Sequence, residues 1–397
     1  MLLRVGEKHI TESSGHPSEI QVKDQKKAEK TISLPANLEE AWIHTVRTFH
    51  FSGRKMPKKP SLARIISSHS ESLQTLWQAY TQERRDISKY LMDPKQLAFT
   101  YLLGFHLSNC ARVLSLLARI NQMIDLTKIT SDHHCKFIDL GAGTGAMTGA
   151  MLSTLKKEHP FSISLWDFRR PFLNVSDHFI KRLSPNSQVQ TIKRRLEEFS
   201  FAKQKINSHS DLSIISLGFV WNELQKHPPA AKKFLAELTK FSRVKSLIFI
   251  IDPASNQQSR DLMSLRDHLA SQQFKPLYPC PQHSACPMLR QPKDWCFSES
   301  MWERSPTMEQ VDRILRINRS KLNYSGYVLA SESLYQELSL SPRKGKIIVG
   351  RPLVNETPHS LLCDGDQLSK QIITGDPATH YRGLDLLGID ELQKSRK

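Results

Sequence analysis

The 397-residue chain is long enough for two or three domains and a full hydrophobic core, with 39% hydrophobic and 24% charged residues. Its 56 Lys and Arg against 39 Asp and Glu leave a formal charge of +17, which predicts an anionic partner, nucleic acid first, because a basic surface attracts phosphates and releases their counterions. No apolar run approaches the ~20 residues that cross a bilayer, and Met1–Glu7 is too short an apolar start for a secretory signal, so no membrane contact is expected.

Residues 1–34 are polar and aperiodic and read as a disordered tail. Early acids in it (Glu7, Glu12, Glu19) argue against a mitochondrial presequence, which leaves the cytoplasm as the default compartment. A helical region is expected over 35–125. Leu38, Trp42, Val46 and Phe49 share one helix face. Gly53–Pro60 is a loop with four cations, either a phosphate contact or a solvated charge run. Asp93-Pro94 is a helix start, a capping carboxylate followed by a residue that needs no amide donor, and the apolar run after it predicts a buried helix to about Ile120. His106 and Cys110 lie within that run and read as core residues.

From Lys136 the pattern changes to alternating short strands and helices. Lys136–Leu140, Ser162–Asp167, Val189–Ile192, Leu212–Leu217 and Ser246–Asp252 read as strands, the signature of a parallel doubly wound α/β sheet over 126–275. A cysteine-rich insertion is expected over 276–310. Tyr324–Ala330 and Lys346–Val349 are taken as later strands of a C-terminal segment, 311–375, that completes the sheet, and 376–397 as a tail.

The first strand runs into Asp139-x-Gly141-x-Gly143-x-Gly145 and then a helix. Glycines there let the backbone turn sharply and approach a ligand without a Cβ clash. Asp139, at the strand end, can accept hydrogen bonds around a cofactor's amino-acid moiety. Asp167 ends the second strand, where an acid can hold both ribose hydroxyls of a nucleoside cofactor. The Gly-x-Gly-x-Gly spacing differs from the Gly-x-Gly-x-x-Gly of nicotinamide enzymes and resembles the first motif of class I methyltransferases, so the expected cofactor is S-adenosylmethionine (SAM). The fourth strand ends in Gly218-Phe219-Val220-Trp221-Asn222-Glu223. Asn222 and Glu223 either face the methyl acceptor or cap the next helix. The Asn/Asp-Pro-Pro-aromatic signature of exocyclic-amine methylation is absent, so no catalytic base is assigned.

Cys280-x5-Cys286-x9-Cys296 places three thiols within seventeen residues, and Cys363 stands downstream on a predicted turn. Three close cysteines and one distant one can complete a four-thiolate site for an iron–sulfur cluster or for zinc. Structural zinc favours Cys-x(2–4)-Cys knuckles, which are absent, and Cys-Pro, present at Cys280 and Cys286, is familiar beside cluster ligands. A nucleophilic role for Cys280 in C5-pyrimidine methylation is disfavoured because the cysteine lies beyond strand five and its helix. A radical SAM cluster is disfavoured because Cys-x3-Cys-x2-Cys is absent.

Cys280-Pro281-Gln282-His283-Ser284-Ala285-Cys286-Pro287 and Trp295-Cys296-Phe297 together resemble the cysteine signature of the mitochondrial small-ribosomal-subunit methyltransferase-like family, which includes methyltransferase-like protein seventeen and bacterial relatives. Asn222-Glu223-Leu224, Asp252-Pro253, Arg266-Asp267-His268-Leu269, Tyr324–Tyr327 (similar to the family's sixth strand) and Pro342–Lys346 extend the resemblance to roughly residues 35–375. Two departures are an inserted Gln282 and the lack of a histidine after Cys296. The resemblance implies a class I SAM-methyltransferase Rossmann-like domain with an N-terminal helical region and a cluster-binding insertion. It also implies a [4Fe-4S] cluster on Cys280, Cys286, Cys296 and Cys363, a monomer bound to the small ribosomal subunit and its rRNA, and a mitochondrial matrix location if the source is eukaryotic. Two functions remain open: rRNA methylation, and ribosome assembly without methyl transfer. Arg313, Arg316 and Arg319 at three-residue spacing, Lys321, Lys193-Arg194-Arg195 and Arg343–Lys346 are candidate phosphate contacts, each with a solvated surface as its alternative.

Overall fold

The computed structural model describes residues 19–21, 31–53, 55, 57, 61–81, 93–155, 160–206, 211–280, 282–340, 346–350, 359–374 and 385–386. The expected tails, the cations Arg54, Lys58 and Lys59, and the loop Pro342–Gly345 lie wholly or mostly outside them. Inside the expected N-terminal tail, however, Glu19–Gln21 is a strand, and Ile32 is buried and bridges to Trp302.

The main sheet contains β1 (His134–Leu140), β2 (Ser162–Asp167), β3 (Gln188–Lys193), β4 (Asp211–Gly218), β5 (Ser246–Asp252), β6 (Phe274–Tyr278) and β7 (Lys321–Ser331). Their spatial order is β3-β2-β1-β4-β5-β7-β6. The first five run parallel, while β7 is antiparallel to both β5 and β6. The order reverses between β1 and β4, and a crevice at the carboxyl ends of the strands is the place where such sheets take ligands. A reversed strand inserted between the fifth and sixth is the arrangement of the class I methyltransferase fold.

Three sequence expectations change. Phe274–Tyr278 is a strand that crosses the expected boundary between 275 and 276, although it contains Pro276. It sits at the sheet edge, where proline's missing donor costs nothing, and it makes Tyr324–Tyr327 part of the seventh strand rather than the sixth. Lys346–Gly350 does not extend the main sheet. It joins His359–Cys363, Leu368–Thr374, Glu19–Gln21 and Asp385–Leu386 in a second sheet. The single helix expected to Ile120 is two, α4 (Pro94–Gly104) and α5 (His106–Ile120), broken beside Gly104, a poor helix former.

Alternation along each strand builds a core on both faces of the sheet. On one face, Phe137, Ile163 and Ile214 pack under α1 (Ala36–His50), α4, α5, α7 (Ala146–Thr154) and α8 (Arg170–Leu183). Leu38, Trp42 and Val46 are fully buried there, as their spacing predicts, and the Trp42 indole donates to the Leu102 carbonyl at 2.9 Å. Asp93 caps α4 by accepting from Lys95 and Gln96. His106 and Cys110 are both core residues. On the opposite face, Ile138, Ile215 and Leu217 pack under α10 (Pro228–Leu238) and α11 (Asn256–Ser271), and Cys286, Cys296 and Cys363 belong to this second core.

Candidate functional site

The turn between β1 and α7 is held open by its glycines. Gly141, Gly143 and Gly145 all have positive φ, at 81°, 54° and 85°. A Cβ on Gly141 would stand 2.7 Å from Val220 Cγ2, so the loop after β4 packs directly on this turn. A Cβ on Gly143 would meet nothing nearer than the Gly141 carbonyl oxygen, at 3.9 Å. The backbone amides of Gly141 and Ala142 both donate to the Trp166 carbonyl, which ties the turn to the end of β2.

Asp139 is buried and its two oxygens are already engaged, one accepting from Thr148 Oγ1 at 2.7 Å and the other from Ser216 Oγ at 2.8 Å. It joins α7 to β4 and so shapes the turn. Asp167 accepts from the Gly143 amide at 3.1 Å and the Arg169 amide at 2.8 Å. Burial raises the pKa of both carboxyls, against the hydrogen bonds that favour their charged forms. The turn and both acids therefore meet at one place, above the point where the strand order reverses.

Asn222 is bonded twice to Asp252. Its backbone amide donates to Asp252 Oδ2 at 3.1 Å and its side-chain amide to Asp252 Oδ1 at 2.8 Å. Glu223, by contrast, shares an electrostatic neighbourhood with Arg169 and Asp167, and burial raises its pKa. Tyr80, from α3 (Ser70–Thr81), reaches the same place: its hydroxyl pairs with Arg169, and its pKa is pushed up to about 12, mostly by burial. Phe168 is 43% exposed, directly after Asp167, with the Arg169 and Arg195 guanidiniums 4.6 and 5.3 Å from its ring centre. Sequence reasoning passed over Tyr80 and Phe168. An aromatic next to the strand-ending acid was a readable signal for Phe168, whereas Tyr80 lies 87 positions before Asp167 and had none.

The four cysteines lie in one neighbourhood, framed by α11. Its Arg266, 1% exposed, donates to the Gln282 carbonyl at 2.9 Å and to the Ser284 carbonyl, and pairs with Asp267 at 2.7 Å. Asp267 in turn accepts from the Cys286 amide. Arg260 holds the rest of the loop through the carbonyls of Leu289, Gln291 and Asp294. Cys363 ends the strand His359–Cys363 instead of lying on the expected turn, and the turn that follows it is fastened to the same loop: Ser284 Oγ lies 2.9 Å from the Gly365 carbonyl oxygen and 2.6 Å from an Asp366 carboxylate oxygen, two acceptors that share its one hydrogen. Burial pushes the Cys286 and Cys363 thiols up to about 12, and Cys280 acts electrostatically on both. Tyr327, on β7, feels Cys296, Cys286 and Cys280.

Among the described residues no three His, Cys, Asp or Glu side chains are gathered closely enough to hold a metal ion. The donor set nonetheless suits an anionic, sulfur-rich group. Four thiols border one region, and the Tyr327 hydroxyl and Arg266 Nε are buried donors without an acceptor among the described residues. A cubane cluster spreads its thiolates more widely than a single tetrahedral ion does, and a bound cation removes the cost of ionising buried thiols.

The family model for mitochondrial small ribosomal subunit Rsm22 matches residues 111–383. The chain belongs to the Rsm22 family. The matched span runs from α5 past Cys363 and includes the glycine turn and all four cysteines. No curated protein matches in sequence. Among solved structures, the chain is similar to a candidate class I SAM-dependent methyltransferase of Listeria monocytogenes, at 10% identity, TM-score 0.33, over 75% of this chain and 88% of that one. A candidate RNA methyltransferase of Pyrococcus horikoshii is 14% identical, TM-score 0.31, over 56% and 81%. An rRNA methylase of Streptococcus thermophilus is 11% identical, TM-score 0.29, over 57% and 96%. The strand order, with β7 reversed between β5 and β6, is that of the class I methyltransferase fold.

The candidate phosphate contacts separate on structural grounds. Arg319 is no surface cation: it is buried, bonded to Asp312 at 2.6 Å and to the Gly104 carbonyl at 2.6 Å. The helix over Pro306–Leu315 ends before Arg316, which takes a left-handed conformation, so the three arginines do not share a helix face. Lys321 pairs with Glu299 at 2.8 Å. Lys193, Arg194 and Arg195 are exposed at the end of β3, beside Phe168. No helix among the described residues is long and apolar enough to cross a membrane.

Proposed function

We propose that the chain binds SAM at the β1–α7 turn and acts on the small ribosomal subunit and its rRNA as a class I methyltransferase. Membership of the Rsm22 family, in a chain whose glycine turn opens onto free space beside Asp167, is the observation that carries this reading. The methionine end of SAM would lie over Gly141–Gly145, a turn whose shape Asp139 braces. Asp167, released from the Gly143 amide, would accept the ribose hydroxyls, with Phe168 under the adenine. Glu223, Arg169 and Tyr80 would face the methyl acceptor. With the sulfonium and acceptor aligned, positioning supplies much of the rate. Lys193–Arg195 would meet phosphates at the rim.

Cys280, Cys286, Cys296 and Cys363 would hold a [4Fe-4S] cluster, with zinc as the alternative occupant. The cluster's place in the reading is structural: it would tie the loop after β6 to the Cys363 turn. The monomeric state and, for a eukaryotic source, the mitochondrial matrix belong to the same reading.

A second reading, an assembly factor that binds SAM and rRNA without methyl transfer, is favoured by one observation. Asn222, one of the two residues that the sequence offers to meet an acceptor, is committed to Asp252. Incubating the protein and labelled SAM with immature small subunits separates the two. Methyl transfer to rRNA is expected for the enzyme. Subunit binding that weakens steeply with salt, with no label transferred at any assembly stage, would leave the assembly factor.

A further inference from the structure

Tyr327 occupies the middle of β7, opposite Ile250 of β5. It is 1% exposed, and its hydroxyl has no hydrogen-bond partner among the described residues. A buried tyrosine hydroxyl ordinarily finds one, because taking the group out of water without replacing its hydrogen bond is costly. Ser325 is two residues earlier on the same face of the strand, and its hydroxyl donates to the Cys296 carbonyl at 3.2 Å. The orphaned hydroxyl therefore sits on the strand face that touches the cysteine loop, within electrostatic reach of Cys280, Cys286 and Cys296. Arg266 on α11, buried to the same degree, is within electrostatic reach of Cys280 and Tyr327, and its Nε is also without an acceptor among the described residues. Two buried donors without a partner among the described residues thus border the four thiols.

We propose that the Tyr327 hydroxyl donates a hydrogen bond to sulfur in the group held by Cys280, Cys286, Cys296 and Cys363, and that with Arg266 it sets that group's reduction potential. The inference rests on the cluster reading above. Reduction adds one electron to a cluster that is already anionic with four thiolates. A donor hydrogen and a guanidinium stabilise the more negative state more strongly, so both raise the potential. Tyr327 acts here as a positioning and tuning residue: it contributes no ligand bond.

Tyr327→Phe removes the hydroxyl and keeps the ring, so packing in β7 is preserved. The parent and variant would be purified anaerobically as full chains, analysed for iron and sulfide, and titrated with dithionite as the electron source while the reduced cluster is followed by electron paramagnetic resonance. The expected result is equal iron and sulfide in both, with reduction about tenfold less favourable in the variant, about 59 mV lower for one electron. An unchanged potential in a fully loaded variant overturns the role of the hydroxyl and leaves the cluster intact. A parent that carries no iron and sulfide, or carries stoichiometric zinc, overturns the cluster reading and this inference with it. A second measurement does not depend on the variant retaining its cluster. The reduced parent should show a strongly coupled exchangeable proton by pulsed resonance after transfer between H2O and D2O, and its absence also overturns the proposal.

Discussion

Asn222 and Asp252 face each other across the ends of β4 and β5, joined by a backbone amide and a side-chain amide that reach both oxygens of one carboxyl. Burial pushes that carboxyl up to about 7, although both hydrogen bonds pull it down. The folded chain therefore holds a proton at Asp252 over a range where the unfolded chain, near 3.8, has lost it. Stability falls with rising pH wherever the native state binds more protons, so this residue costs stability progressively from about pH 4 to pH 7, then by a constant amount above. The total is a few kcal/mol, at ~1.4 kcal/mol for each tenfold in the proton equilibrium. Urea unfolding of the parent and of Asp252→Asn at pH 5 and pH 7.5 checks it. The parent should lose more stability between the two than the variant, and equal losses would contradict the assignment.

Gly143→Arg should remove SAM binding while leaving the fold in place. The left-handed φ of 54° disfavours any side chain, and the Cβ would project into space left open beside Asp167. Calorimetry with SAM and with its demethylated product should detect no heat of binding, against a clear signal for the parent. Unchanged affinity would show that the turn is not the cofactor site.

Gly365→Ala should disrupt the meeting of the Cys363 turn with the Cys280–Cys286 loop. The φ there is 99°, and a Cβ would stand 2.5 Å from Gln282 Cβ and 2.8 Å from its backbone nitrogen. Backbone cannot yield as a side-chain tip can, so a loss of about 1–3 kcal/mol is expected. Lowered thermal stability together with reduced iron and sulfide after anaerobic purification is the expected outcome. Full metal content would mean that Cys363 is not held by this contact.

Arg194→Glu with Arg195→Glu should weaken rRNA binding and flatten its salt dependence. Every phosphate that is no longer neutralised lowers the slope of log K against log salt by about 0.9 on a duplex or 0.7 on a single strand. Filter binding from 50 to 200 mM salt reads both quantities. Reversing Arg316, which caps the Pro306–Leu315 helix, is the control and should change the slope less. A slope identical to the parent's in the double variant would remove this rim from the interface.

The chain's own pattern determined the parallel half of the sheet and the cofactor turn. Apolar runs bounded by helices mark β1 to β5 within one or two residues, and three glycines between a strand and a helix require the positive φ values that are found. These signals are local, because a strand's burial and a turn's handedness are written in adjacent residues. Tertiary structure alone decided the rest. Pro276 hides β6 until its edge position is known. The spacing of Arg313, Arg316 and Arg319 suggests a basic face until Asp312 is seen to bury the last of them. Asn222 was legible as a polar residue at the right strand end, but not its commitment to Asp252, 30 positions away. Tyr80, Tyr327 and the Ser284–Asp366 fastening depend on contacts between segments distant in the chain, for which composition and periodicity carry no signal.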